Sequence, residues 1–221
     1  MNLKDVFDAL NAGELRNNYL ADDEGGTADR DNKSKLLSLI KRGLTELHTR
    51  FDLRIRQVEI LFVPAQYSYT LDSTIAPGLL KIERILVQDE EGYLQVQPYN
   101  QKQNIFSYQS PNFKTVSLPV SQNIAHTSMV VEYREDHPAL SEDVMFESPE
   151  DIEIELPQPY LEPLVLYVSA KVMSSHGATD GIDSSTNLNA QYEMACAKLE
   201  GFNMDNDQLE WRDAIYEDGW V

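Results

Sequence analysis

Along this chain the apolar positions change period twice, from helical spacing to alternation and back. Leu3, Val6, Phe7 and Leu10 recur at helical spacing, which predicts a short amphipathic helix over 1–12 ending near Gly13. Residues 21–32 (ADDEGGTADRDN) are polar and aperiodic, a loop in which Asp31 or Asn32 can cap the next helix. Residues 33–51 carry Leu36, Ile40, Leu44, Leu47 and Phe51 on one face, the clearest helix in the chain. Glu46 precedes Arg50 by four residues, the favourable order for an ion pair.

From Leu53 the pattern alternates. Leu53 and Ile55, then Val58, Ile60 and Phe62, predict a strand with a β-bulge at Gln57, where the phase slips. Further strands are predicted at 67–71, 82–88, 93–97, 113–118, 128–135 and 152–156. Ala76-Pro77-Gly78, Glu90-Glu91-Gly92, Ser110-Pro111-Asn112 and His137-Pro138 are the turn signals between them. Helical spacing returns over 160–176, where Pro163 suits a first turn. Gly177 to Asp183 reads as a connection. A Ser/Thr-capped helix then carries Leu188, Tyr192, Cys196 and Leu199, with Gly201 just past its end.

This order predicts an α+β fold. Residues 1–52 and 157–202 form a helical base, the latter as an αα-hairpin. Residues 53–156 form an inserted antiparallel β-sandwich or barrel-like subdomain, and 203–221 an extended tail. The first helix must complete its burial against elements more than a hundred residues later.

Charge changes the picture more than composition does. The 221 residues are 42% hydrophobic and 25% charged, ordinary globular values, yet the net charge is −19. Such a surface repels nucleic acid and anionic membranes. The N-terminus is amphipathic rather than a signal peptide, and no apolar run is long enough for a membrane helix, so a soluble protein made in the cytoplasm is expected. One stretch runs against the trend. Residues 33–56 hold seven cations, Lys33, Lys35, Lys41, Arg42, Arg50, Arg54 and Arg56, against Glu46 and Asp52. A basic face on an acidic molecule is complementary to other copies, and head-to-tail contacts of that kind close into rings when the rotation allows; a solvated helix face is the other reading.

Candidate chemistry is sparse. Cys196 lies on an apolar stripe, the place of a buried small hydrophobe rather than a nucleophile. His48, His126, His137 and His176 are scattered, without a second ligand at metal spacing. Asp22, Asp29 and Asp31 flank Gly25-Gly26 but lack the register of a calcium loop. Glu153 and Glu155 share the solvent face of a predicted strand. No catalytic residue, metal or cofactor is expected. The tail differs: Leu209, Trp211, Ile215, Tyr216, Trp220 and Val221 stand among acids, and both tryptophans of the chain fall in its last eleven residues. Residues of this kind dominate interfaces, so the tail is expected to bind a partner, with folding back on its own domain as the alternative.

KLLSLIKRGLTELHTRFDLRIRQVEILFV, YSYTL, IERILVQDEEG, VVEYREDHPAL and YLEPLVLYVSAKV, in that order, resemble head-to-tail connector adaptor proteins of tailed bacteriophages over roughly residues 33–202. The resemblance implies a virion protein at the head–tail junction. It implies a twelve-fold ring of copies docked beneath the portal protein, with tail or nozzle proteins below and DNA passing through without specific binding. It also implies a C-terminal extension, here 203–221, that reaches onto the portal or neighbouring subunits. The stretch 142–155 has no assigned role. Two other readings stay open: a metal-dependent hydrolase using Asp22, Asp29 and Asp31, and a monomeric protein-binding module.

Overall fold

The computed structural model describes residues 1–13, 30–88, 93–119, 127–140, 151–175 and 179–201. Its elements are α1 (Leu3–Ala12), α2 (Arg30–Arg50), β1 (Ile55–Leu61), β2 (Ser68–Thr70), β3 (Leu79–Gln88), β4 (Leu94–Val96), β5 (Gln109–Asn112), β6 (Thr115–Ser117), β7 (Ser128–Glu135), α3 (Leu161–Ser175) and α4 (Thr179–Gly201). The fold is α+β with antiparallel sheets. It divides into two compact units, Met1–Leu47 with Pro138–Val221, and His48–His137.

In the helical unit, α1 begins with a reciprocal capping box. The Asp5 N–H donates to Asn2 Oδ1 at 2.8 Å, and the Asn2 N–H to Asp5 Oδ2 at 2.9 Å. The cap contributes about 1 kcal/mol. Full burial of Leu3, Val6 and Leu10 outweighs it, at roughly 1.5–3 kcal/mol each. The Leu3 N–H donates to Ile152 O at 2.9 Å and the Ile154 N–H to Met1 O at 2.8 Å, so the helix starts from a backbone clamp between the N-terminus and residues 152–154.

That clamp corrects the strand expected at 152–156. Those residues form one isolated bridge, Asn2 to Glu153, and group with the helices. Alternation was read correctly, since Ile154 and Leu156 are buried while Glu153 and Glu155 are exposed. The missing ingredient is a neighbouring strand to extend the ladder.

α3 is the most apolar helix because it has neighbours on several sides. α1 and α4 pack against it, and Tyr167 meets Tyr192 of α4 edge-on at 5.6 Å. α2 approaches at Gly43, where a Cβ would fall 2.7 Å from Leu164 Cδ1 and 3.1 Å from Tyr167 Cδ1. Ser185 Oγ donates to Ala170 O at 3.0 Å, fastening the α3–α4 hairpin. Two boundaries differ from expectation. α2 begins at Arg30, which places Asp31 and Asn32 inside the helix rather than at its cap, and α4 begins at Thr179 within the expected connection and includes Gly201. Polar composition hid both starts, since neither first turn carries an apolar stripe.

The β unit holds a four-stranded sheet of order β1-β7-β3-β4 and a three-stranded sheet of order β2-β6-β5. Both feed one core that includes Tyr69, Ile82, Ile85, Tyr108, Val116, Met129, Val131 and Tyr133. β1 pairs with β7 over seven consecutive positions, Ile55↔Arg134 to Leu61↔Ser128, so the bulge expected at Gln57 is absent. Ile55 is simply on the outer face, and the irregularities lie in β3, between Leu79/Lys81 and Ile82/Arg84. Ser110-Pro111-Asn112 is part of strand β5 and not a turn. β5 is an edge strand, where proline's missing N–H leaves no ladder bond unmade, and the chain reverses one step later at Phe113-Lys114.

Candidate interaction surfaces

The first and last residues of the β unit meet. The His48 and His137 rings stand edge-on at 5.6 Å. His48 Nδ1 lies 3.3 Å from Glu135 O, and a carbonyl only accepts, so Nδ1 carries the proton. Burial, followed by the charge of His137, holds the His48 imidazole down to about 4 from 6.5; the Glu135 carbonyl and Asp136 oppose this, and Arg54 adds to it.

Around this junction the expected basic face divides. Arg54 Nε and Arg56 Nε both meet Glu135 Oε2, at 2.6 and 2.7 Å, so these two guanidiniums share a carboxylate of their own unit. The Arg50 guanidinium lies 5.9 Å from the Phe51 ring centroid. Lys41 is half-buried and Arg42 exposed, while the Lys33 side chain lies outside the described residues. Arg134, which the sequence did not single out, ties three elements together. It contacts Glu83 and Asp52 at 2.5 Å and donates to Thr49 O at 2.7 Å. Its signal is its position on β7, opposite Ile55 on one side and Lys81 on the other.

The helical unit contains a groove of about 600 Å³ between α2 and α3. Lys35, Arg42 and Lys171 line it over a floor of Leu36, Leu39 and Val172. No acidic side chain lines it among the described residues. Ser174 Oγ and Ser175 Oγ donate to Lys171 O and Val172 O, at 2.9 and 2.7 Å, which leaves their oxygens free to accept.

The β unit exposes large apolar side chains at its rims. Leu94 and Val96 stand on one face of the edge strand β4, half exposed, and Tyr93 beside them is 71% exposed. Ile105 and Phe106 project from one loop at 79% and 51%, and Phe113 from the β5–β6 turn at 62%. Leu61, Val63 and Tyr67 of the same unit are exposed as well, and apolar side chains exposed one by one are ordinary on a folded surface. The sequence expectation missed this set because alternation does not tell which face of an edge strand meets a neighbour.

Among the described residues no three His, Cys, Asp or Glu side chains group as metal ligands, and Cys196 is buried. Asp22, Asp29, His126 and His176, the stretch 142–150 and the tail anchors Leu209, Trp211, Ile215, Tyr216, Trp220 and Val221 lie outside the described residues. Among the described residues no helix is long and apolar enough to cross a membrane. No protein-family model matches the chain, and no curated protein matches it.

Proposed function

We propose that this protein is a structural component of a tailed-phage virion: a head-to-tail adaptor whose copies form a ring beneath the portal. The ring extends the DNA channel and offers a platform to tail proteins. The observation that carries the reading is the architecture. Helices drawn from both halves of the sequence build one unit, and between them in the chain a β-sandwich with apolar rims is inserted. A part of this kind works by geometry, with one unit available for the portal and the other for the tail proteins. The resemblance of residues 33–202 to connector adaptors supports the same assignment, and the net charge of −19 suits a conduit through which DNA slides without releasing counterions.

In this reading Leu209, Trp211, Ile215, Tyr216, Trp220 and Val221 anchor the tail on the portal, and Lys41 and Arg42 face the neighbouring copy. Deleting residues 203–221 is expected to leave the fold intact while abolishing incorporation into particles. Normal incorporation of the shortened chain would remove the tail from the account.

A further inference from the structure

We propose that the groove between α2 and α3 is the docking site, in the free subunit, for the acidic aromatic tail 203–221 of the same chain. The inference does not depend on the adaptor reading. It rests on complementarity between a described surface and a named segment. The groove presents Lys35, Arg42 and Lys171 with no acidic side chain among the described residues of its lining. The tail carries six acidic residues, Asp205, Asp207, Glu210, Asp213, Glu217 and Asp218, against the single base Arg212. On a molecule of net charge −19 this acidic segment is repelled by most of the surface, so a pocket of three cations is its favoured landing place.

The apolar parts match as well. Leu36, Leu39 and Val172 make a floor for an aromatic ring, and Ser174 and Ser175, whose hydroxyl protons are already donated to backbone carbonyls, offer acceptors. An indole is a donor only, so Trp211 or Trp220 supplies what the serines lack. Lys171 Nζ already stands 5.1 Å from the Tyr167 ring centroid, which shows its ammonium can serve an aromatic face.

Reach favours the chain's own tail. Twenty residues come after Gly201 in this sequence. Twenty residues span up to about 65 Å when extended, more than the roughly 33 Å that α4 runs from Thr179 to Gly201, and covalent attachment raises the tail's local concentration above that of a second copy in dilute solution. A portal or another partner then acquires the tail by competing it out of the groove.

Both tryptophans of the protein lie in the tail, so tryptophan emission of the full chain reads docking directly. The experiment is acrylamide quenching of the intact protein, with a K35E/K171E variant checked for unchanged far-ultraviolet circular dichroism. The proposal predicts emission blue-shifted from that of the unfolded chain and protection independent of protein concentration. It also predicts that the double reversal shifts the docking equilibrium about tenfold toward the quenchable form. Salt near 1 M, where screening falls to about 3 Å, should have the same effect on the unmutated chain and tests the idea without a variant. Tryptophans as quenchable as in the unfolded chain would overturn it, as would protection indifferent to both charge reversal and salt. Protection that grows with protein concentration would overturn the same-chain assignment.

Discussion

At the residue scale, two positions carry more than their sequence neighbourhood announces. Ala65 adopts φ +64°, in a turn closed by the Gln66 N–H donating to Val63 O at 3.0 Å. Pro64 before it and positive φ at this place are the features of a turn that ordinarily takes glycine. Alanine there carries about 1 kcal/mol of left-handed strain. Ala65→Gly is therefore expected to stabilise the protein by roughly 0.5 kcal/mol, after the extra freedom glycine gives the unfolded chain is subtracted, as read by urea denaturation. His48 is the second. Its folded value of about 4 lies below the ordinary 6.5, so between these values the unfolded chain binds a proton that the folded chain refuses. Its contribution is fully present above pH 6.5 and is lost as pH falls toward 4, by roughly 3 kcal/mol. His48→Gln, which keeps an N–H for the Glu135 carbonyl, should flatten that part of the stability–pH curve; an unchanged slope would show that other groups carry it. Neither feature was legible in the sequence. The first depends on a dihedral, and the second on burial and on His137, 89 positions along the chain.

At the element scale, legibility tracked periodicity and failed where composition spoke against a tertiary partner. β7 was read to the residue, because SMVVEYRE is rich in β-branched and aromatic side chains and sits between two strands. β5 was missed because Pro111 signals a turn unless an unpaired edge is known to be there. The strand expected at 152–156 shows the reverse: alternation held, but its only bridge partner among the described residues is Asn2, at the other end of the chain. Gly43 shows a third limit. Inside a helix pattern it reads as a propensity cost, yet it marks a close approach of α2 to α3. Gly43→Ala gains about 1 kcal/mol of helix propensity and costs roughly 1–3 kcal/mol in overpacking against Leu164 and Tyr167. The expected net is destabilisation of about 1 kcal/mol, larger for Gly43→Val, measured as a fall in thermal midpoint. A stabilised alanine variant would show that Leu164 yields without cost.

At the scale of the whole molecule, the α+β class was legible from the two changes of period, and burial of α1 against residues beyond 150 from element order. The unit boundary was not: the described residues 138–140 and 151–156 group with the helices, where Ile154 and Leu156 are buried, although 152–156 reads locally as one more strand. The rims of the β unit were equally hidden, since exposure of Leu94, Val96, Phe106 and Phe113 is a property of sheet order and turn position. The basic stretch 33–56 was legible as charge but not as geometry; Arg54 and Arg56 engage Glu135, while Lys35 and Arg42 line a groove. Under the proposed ring assembly, reversing Lys41 and Arg42 is expected to weaken it at low salt, an effect that shrinks as ionic strength rises, and ring yield counted on grids measures it.

Electron microscopy of the protein mixed with portal rings tests the adaptor assignment most directly. An adaptor is expected to form a ring of copies stacked beneath the portal, with residues 203–221 ordered against the portal or a neighbouring copy. A protein that never associates with portal rings, at low salt and in excess, would contradict the assignment.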